Sequence, residues 1–546
     1  MRLLTTMNCL IKAALSISLF IITGLLTAQS DSTGGSMMDQ ALITPRLIAA
    51  RHEFNENNMR GSLTIYREVL QADPANAQAL YGTAECHYFL KKYKLAEEYL
   101  DKAVAANARV STETNLFYGQ IYHRTAQLDK AISYYTKYLE LQRPKTYEHE
   151  VAKQLIEQCQ FAQEMMARPA DVNIENMGEE INSRFDDYTP SITADGKLMV
   201  FTSRRSDTKG GAIDEAGDYK FFEDIYYSTW DDATKQWTRA QGVEGELNTE
   251  TYDAVLSIMP DGNGMYVYKN TVTTTGDIYY STYNKTDQVW EAAAKMPRPI
   301  NTSYYEGSVS ITADGNTLYF ISEQPDGLGQ GDIYVSTKKS GQWGSPKNIG
   351  AVLNTGDDEK FVFIHPNGKT LYFASNGHQT MGSYDIFKTE WLNGAWSVPV
   401  NLGYPINTVN EESTFSLTSD NKTMLIAAEY DNSLGERDIY KIDVSRYALI
   451  AAGYERSSFG QIQCNVEEAA SGKAIKGAVV KVMNATSGRV ITEVETDKAG
   501  QARVNVPGNF KYKIEVSLNG EEPQTFEVDL TLKAEGETVQ KLSVKF

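Results

Sequence analysis

The sequence predicts a multidomain chain, α then β, made of an α-solenoid of helix pairs, a β-propeller and a small C-terminal β-sandwich. A sequence repeat of about 53 residues occurs five times between residues 182 and 441. Helical periodicity that repeats every 34 or 35 residues precedes it, and short alternating strands with turn signals follow it. A chain of 546 residues is too long for one core, so the three patterns indicate separate domains.

The first 29 residues predict a secretory signal peptide. Arg2 and Lys12 are their only charged residues, an apolar run covers residues 13–26, and small residues precede Gln29. The run is short for a membrane span. We therefore expect an exported chain with no transmembrane segment in its mature part. Residues 30–42, which are polar and rich in Gly and Ser, predict a linker.

The composition limits the classes of partner. The chain has 71 acidic and 52 basic residues and a net charge of −19. This excess disfavours nucleic acid and anionic membranes, because both would repel it. Cys86, Cys159 and Cys464 lie in three segments without metal-ligand spacing, so we expect free buried thiols. We predict no metal and no cofactor.

Residues 43–168 predict tetratricopeptide repeats, with three helix pairs and a closing helix. Ser62, Ala96 and Ala131 are spaced by 34 and 35 residues and are small where two helices pass closely. Such a solenoid has a concave groove, where aromatic and Arg side chains are typical of binding hot spots. We predict a partner-binding groove formed by Arg51, Phe54, Tyr81, Glu85, Tyr88, Gln120 and His123. Alternatively, Tyr81 and Tyr88 only pack between helices.

Residues 173–449 predict a propeller. Each copy has an Asp-Gly, Asn-Gly or Asp-Asn dipeptide between alternating strands, which indicates a hairpin with a two-residue primed turn and positive φ at both positions. A period near 50 residues with several short strands is typical of propeller blades. The last copy ends at Ile442 without an outer-strand Trp. The blade number therefore stays open between five and six, and the last blade could borrow a strand from the start of the domain.

One loop face of the propeller is the predicted ligand surface. The first copy is 13 residues longer than the others, and the excess falls within residues 204–222. The corresponding loops open on the same face as the connections between blades, and loops on a rigid scaffold commonly carry binding residues. These connections share an Ile/Leu-Asn-Thr pattern at residues 247–249, 300–302, 353–355 and 406–408.

A repeated Asp begins the Asp-Ile-Tyr/Phe triplet of every copy. Five carboxylates in a ring could hold a cation, but a residue used once per blade is better explained by blade architecture, as an acceptor of backbone hydrogen bonds. No serine-nucleophile elbow occurs, and the six histidines show no ligand spacing. We predict no catalytic residues and no enzyme, with structural roles for Asp224, Asp277, Asp332, Asp385 and Asp438.

Residues 458–546 predict a small β-sandwich from several short strands with regular turns, and these segments support a resemblance. Residues 471–479 and 497–502 resemble the carboxypeptidase regulatory-like fold. The motif that recurs in each blade, for example at residues 367–375, resembles the WD40-like (PD40) repeats of TolB-type periplasmic propellers.

The order of the three domains is similar to PorE-like periplasmic proteins of the type IX secretion system. Those proteins usually carry an OmpA-like domain and a lipobox, and neither pattern is found here. The resemblance therefore implies a periplasmic scaffold role and does not carry over the cell-wall anchoring function.

Together these patterns predict a non-enzymatic protein–protein interaction scaffold in the periplasm, associated with the outer membrane through a partner. Its expected partners are other envelope proteins, among them outer-membrane β-barrel or secretion components. Three alternatives stay open: a glycan-binding or sensing envelope module, a propeller-based enzyme, and a secreted cargo whose terminal β-domain is a sorting signal.

Overall fold

The computed structural model describes residues 41–214, 218–270, 276–451, 459–485, 490–507, 511–530 and 539–546. The predicted signal peptide and nearly all of the predicted linker lie outside these ranges. Within them, no helix combines the length and the apolar character needed to cross a bilayer.

Seven helices between residues 43 and 166 form three helix pairs and a closing helix. A side-chain oxygen of Asn58, Asn76 or Thr146 caps the start of three of them by accepting a backbone N–H from the first turn. The helices are α1 Ile43–Asn55, α2 Met59–Ala72, α3 Ala77–Phe89, α4 Tyr93–Ala106, α5 Thr114–Arg124, α6 Leu128–Leu141 and α7 Tyr147–Met166.

Glycines let adjoining helices of the solenoid approach closely, both between helix pairs and within one pair. A Cβ atom on Gly82 would lie 2.2 Å from Cζ of Tyr66, and one on Gly119 would lie 2.4 Å from the ring of Tyr135. Both tyrosine rings are almost completely buried in these gaps. The small residues of the repeat pattern therefore make room for the large residues of the adjoining helix.

Five sheets form the blades of the propeller. The first two contain β2 Asp187–Ile192, β3 Leu198–Ser203, β4 Asp224–Asp231, β5 Gln236–Trp237 and β6 Gln241–Gly242, then β7 Tyr252–Ile258, β8 Gly264–Asn270, β9 Asp277–Asn284, β10 Val289–Trp290 and β11 Ala294–Lys295. The third contains β12 Glu306–Ile311, β13 Thr317–Ser322, β14 Asp332–Lys339, β15 Gln342–Trp343 and β16 Lys347–Asn348.

The fourth sheet contains β17 Glu359–Ile364, β18 Thr370–Ser375, β19 Asp385–Leu392, β20 Ala395–Trp396 and β21 Val400–Asn401. The fifth contains β22 Thr414–Leu417, β23 Thr423–Ala428 and β24 Asp438–Asp443, and its outer strand is β1 Asn173–Asn176. Innermost strands of successive blades contact one another, and β22 contacts β2, so the ring is closed with five blades. The last blade does borrow its outer strand from the start of the domain.

The repeated turn dipeptide lies in the hairpin of every blade, but the predicted turn type is wrong. Positive φ occurs only at the second residue of each pair, which is Gly196, Gly262, Gly315, Gly368 or Asn421. In the third blade Thr312 N–H donates to Thr317 and Gly315 N–H donates back to Thr312, over 3.0 and 2.8 Å. The hairpin loop is therefore longer than two residues and contains one residue with left-handed backbone, a geometry that tolerates Asp in the first position of the dipeptide.

The C-terminal domain packs a three-stranded sheet against a four-stranded one. The strands are β25 Phe459–Glu467, β26 Val479–Asn484, β27 Val490–Glu495, β28 Gln501–Pro507, β29 Lys511–Ser517, β30 Gln524–Asp529 and β31 Val539–Lys545, after a short helix α8 Ala448–Ala451. The three-stranded sheet has the order β28–β25–β31, with β25 and β31 parallel, and the four-stranded sheet has the order β27–β26–β29–β30. Val398 N–H of the propeller donates to Asn505 C=O of this domain over 2.9 Å.

Candidate functional site

A buried asparagine locks each blade of the propeller to the connection beside it. In the third blade, Asn354 Oδ1 accepts the N–H of Ile333 over 2.9 Å and its Nδ2 donates to the C=O of the same residue over 3.0 Å. The same pair of bonds recurs in every blade, so the amide acts as one more strand residue at this edge. The five asparagines are Asn182, Asn248, Asn301, Asn354 and Asn407.

The repeated Asp residues lie one position before the residue that the asparagine binds. Asp385 accepts the N–H of Met381 over 2.8 Å, and Asp438 accepts that of Leu434 over 2.7 Å. Asp224 and Asp332 likewise accept backbone N–H groups from the preceding loop, whereas Asp277 binds Lys295 Nζ at 2.7 Å. Four of the five carboxylates tie a loop to its own blade, whereas Asp277 joins two strands of its blade through Lys295 of β11. The described residues contain no group of His, Cys, Asp or Glu suited to a metal ion.

The helical domain is attached to the loop face of the propeller by buried polar contacts. The ring of His123 lies 2.8 Å from the C=O of Met381, and burial lowers its pKa to about 4, so a neutral ring donates this bond. Arg124 Nη1 donates to the C=O groups of Val409 and Asn410 over 2.6 and 3.1 Å. Gln158 donates to Thr380 and Gly382, and Lys91 pairs with Glu429.

Apolar contacts complete this interface. Met381 and Val409 of the propeller belong to the buried cluster of the helical domain, and Tyr404 packs against it. Met381 follows the second strand of blade four, and Val409 follows one of the Ile/Leu-Asn-Thr connections. The blade-four sector of the predicted ligand surface is therefore an intramolecular interface, and the two domains are held in one orientation.

Replacement of Arg124 by methionine is expected to loosen this interface while its apolar stem is kept. Two carbonyls would lose a charged donor, which weakens docking by about 1.5–3 kcal/mol. We expect faster proteolytic cleavage between residues 167 and 172 and a larger radius of gyration in small-angle scattering. R109M, at an exposed site, is the control. Equal cleavage rates for both variants would contradict the prediction.

The predicted groove residues form a contiguous cluster, except at its C-terminal end. Arg51 pairs with Glu85 at 2.6 Å, and its guanidinium lies 4.9 Å above the ring of Phe54. Tyr81 and Tyr88 both pack edge-on against Phe117, and Gln120 is half-buried. His123 is only 4% exposed and faces the propeller instead of an open groove. Partner binding by the other residues stays a prediction.

A cavity of about 720 Å³ lies between the helical domain and the propeller. Its walls are residues 57–60 and 88–93, where helices of the solenoid end and begin, residues 213 and 218–221 of blade one, and loops of blades four and five. Phe89 and Ile213 line it with 55% and 46% of their surfaces exposed. The volume lies within the range of pockets that bury a small ligand or a short peptide segment.

The described lining of this cavity carries eight cationic and five anionic side chains, an excess of three positive charges. This balance is opposite to that of the whole chain, whose net charge is −19. The cations are Arg60, Lys91 and Arg124 of the helical domain with Arg184, Arg204, Lys220, Lys360 and Arg437 of the propeller. The anions are Asp186, Asp218, Glu411, Glu429 and Glu436.

Several of these charges form a fixed network on the propeller side. Asp186 binds Lys220 at 2.7 Å and Arg437 at 3.2 Å. Burial alone would raise the pKa of Asp186, but the two cations outweigh burial and lower it. Lys220 also reaches Glu436, and the Arg437 guanidinium lies 4.3 Å above the ring of Tyr188. These contacts orient the guanidinium group of Arg437 and the ammonium group of Lys220 at the cavity wall.

Neither this cavity nor the structural role of the five asparagines was predicted from the sequence. The sequence does contain a pattern that indicates the role of the asparagines, because an Asn recurs once per blade, as does the Asp of the Asp-Ile-Tyr/Phe triplet. No local pattern indicated the cavity, since its residues come from turns and loops that only domain docking brings together.

Comparisons with known proteins agree with the repeat assignment. Tetratricopeptide repeat family models match residues 49–111 and 112–144. Tetratricopeptide repeats as a class bind protein partners on their extended concave surface. No curated protein sequence matches the chain.

Solved structures resemble parts of the chain at low identity. TolB from Acinetobacter baumannii is 15% identical over 56% of this chain and 71% of its own, with a TM-score of 0.31. The first tetratricopeptide domain of Spaghetti (RPAP3), bound to an HSP90 peptide, is 23% identical over 23% of this chain and 94% of its own, with a TM-score of 0.21. YrrB, a tetratricopeptide protein, is 21% identical over 24% of this chain and 68% of its own, with a TM-score of 0.21.

Proposed function

We propose that this chain is a non-enzymatic interaction scaffold of the cell envelope, exported to the periplasm and serving an outer-membrane or type IX secretion assembly. The observation that carries the proposal is the attachment of the helical domain to the propeller through His123, Arg124 and Gln158. Two domains of types that commonly bind proteins are thereby held in one orientation. Contacts made by both gain from the high effective concentration of the second site.

Export is supported by the pattern of the first 29 residues, and a scaffold role by the repeats. The envelope location and the secretion assembly come from the resemblance to PorE-like proteins. The charge balance also favours protein partners over polyanions.

The test is crosslinking of the tagged chain in envelope fractions, followed by mass spectrometry of what is recovered. We expect outer-membrane or secretion components, and we expect R51Q to reduce their recovery at least fivefold, because Arg51 is a partly exposed cation of the groove. K94Q, at an exposed position outside the groove, is the control. Recovery of nothing above background, with a monomeric chain, would contradict the proposal.

A further inference from the structure

We infer that the cavity between the helical domain and the propeller binds a short segment of a partner protein in which an acidic side chain lies next to a large apolar one. The inference rests on the proposed function and names the chemistry of the partner. It concerns a composite site at the domain interface and not the concave groove of the repeats.

The charged side chains that line the cavity support an acidic residue in the partner segment. Arg60 and Arg184 are exposed, and neither has a carboxylate partner among the described residues. Arg184 lies 5.0 Å above the ring of Phe185, which orients its guanidinium without neutralising it. A local excess of cations in an otherwise acidic chain attracts an acidic segment to this place and repels it elsewhere on the surface.

The apolar side chains that line the cavity support a large apolar residue beside the acidic one in the partner segment. Phe89 packs edge-on against Phe54 and Tyr88, yet more than half of its surface is exposed, and it lines the cavity. Ile213, across the cavity on the blade-one insertion, is nearly as exposed. An aliphatic side chain such as Ile213 favours a peptide over an acidic glycan, because a sugar gains little from contact with it and a Leu or Phe side chain gains much.

The arrangement also explains why both domains are needed. Arg60 lies in the first turn of α2 and Phe89 at the end of α3, both in the helical domain, whereas Arg184 and Ile213 belong to the propeller. A segment that contacts all four is bound only when the domains are docked. The interface described above therefore fixes the geometry of the site as well as the orientation of the domains.

The experiment is selection of a random heptapeptide library displayed on phage against the purified full chain, at low and at high salt. We expect enrichment of peptides with Asp or Glu beside Leu, Ile or Phe, and loss of that enrichment at high salt. The double variant R60Q/R184Q should lose at least tenfold in affinity for the enriched peptides by fluorescence anisotropy. F89S should lose a similar factor. The control R109Q/K94Q removes the same charge from exposed positions outside the cavity and should bind within twofold of the wild type.

Enrichment without acidic residues, or equal affinity of both double variants, would overturn the inference. Binding of polygalacturonate with the same dependence on Arg60 and Arg184, without peptide enrichment, would overturn it in favour of an acidic glycan. If crosslinking recovers the same partners with R60Q/R184Q as with the wild type, the cavity proposal fails and the scaffold proposal stands. Recovery of no partner with the wild type contradicts the scaffold proposal itself.

Discussion

Asn182→Ala is expected to lower the free energy of unfolding of the propeller by about 3–5 kcal/mol and to open its ring. Asn182 is buried, and it holds the N–H and C=O of Ile439 at 2.8 and 2.9 Å. Each buried backbone group left without a partner costs about 1–3 kcal/mol. The two residues are 257 positions apart, so these bonds also join the start of the domain to its end.

The chain contains a matched control for this substitution. Asn354 makes the same three bonds, to the N–H and C=O of Ile333 and to Oδ1 of an asparagine six residues earlier. Asn182 makes its third bond to Asn176. The two sites differ in that Asn354 joins segments only 21 residues apart, so N354A should cost similar local stability without opening the ring.

Urea unfolding followed by limited proteolysis distinguishes the two variants. Both should unfold at lower urea than the wild type, and only N182A should show cleavage near residues 438–443 in the absence of urea. Equal proteolysis of both variants would show that other contacts, such as the pairing of β1 with β24 and the packing of β22 on β2, keep the ring closed without Asn182.

The repeat architecture was predictable because its signals are local. The spacing of Ser62, Ala96 and Ala131 reports helix crossings, and the turn dipeptides report hairpins, whatever surrounds them. The turn type was wrong for a physical reason. Asp-Gly is compatible with a longer loop in which only the Gly has positive φ, and Asn421 can replace that Gly because Asn tolerates the left-handed region.

The use of each surface was less predictable. An aromatic or histidine side chain on the first helix of a repeat suits either an exposed groove or a buried domain interface. His123 was therefore predicted to be in the groove, and it contacts Met381 of a segment 258 residues away. Arg124, the next residue, makes two bonds at this interface and was not predicted at all. Contacts between domains leave no periodic signal in either domain.

The stability of the folded chain is expected to depend on pH through Glu412, one of two neighbouring glutamates. Glu412 is fully buried and accepts the N–H and the hydroxyl of Thr408, both over 2.7 Å. Burial, and the nearby carboxylate of Asp385, raise its pKa to about 8. Burial alone would also raise the pKa of Glu411. The ammonium group of Lys360, 2.7 Å from its carboxylate, outweighs burial and lowers this pKa to about 2. Adjacent carboxylates thus have pKa values displaced in opposite directions.

Glu412→Gln is therefore expected to stabilise the folded chain at pH 8, by on the order of 3 kcal/mol, and to change it little at pH 5. The unfolded chain releases the Glu412 proton near pH 4.5 and the folded chain only near pH 8, so wild-type stability falls as pH rises between those values. Because glutamine is neutral at every pH, the E412Q variant lacks this loss of stability with rising pH. The control variant E411Q loses the ion pair with Lys360. It should lower the free energy of unfolding by up to about 1 kcal/mol, and by the same amount at pH 5 and pH 8. Parallel pH profiles of the melting temperature for E412Q and the wild type would show that Glu412 is ionised in the folded state.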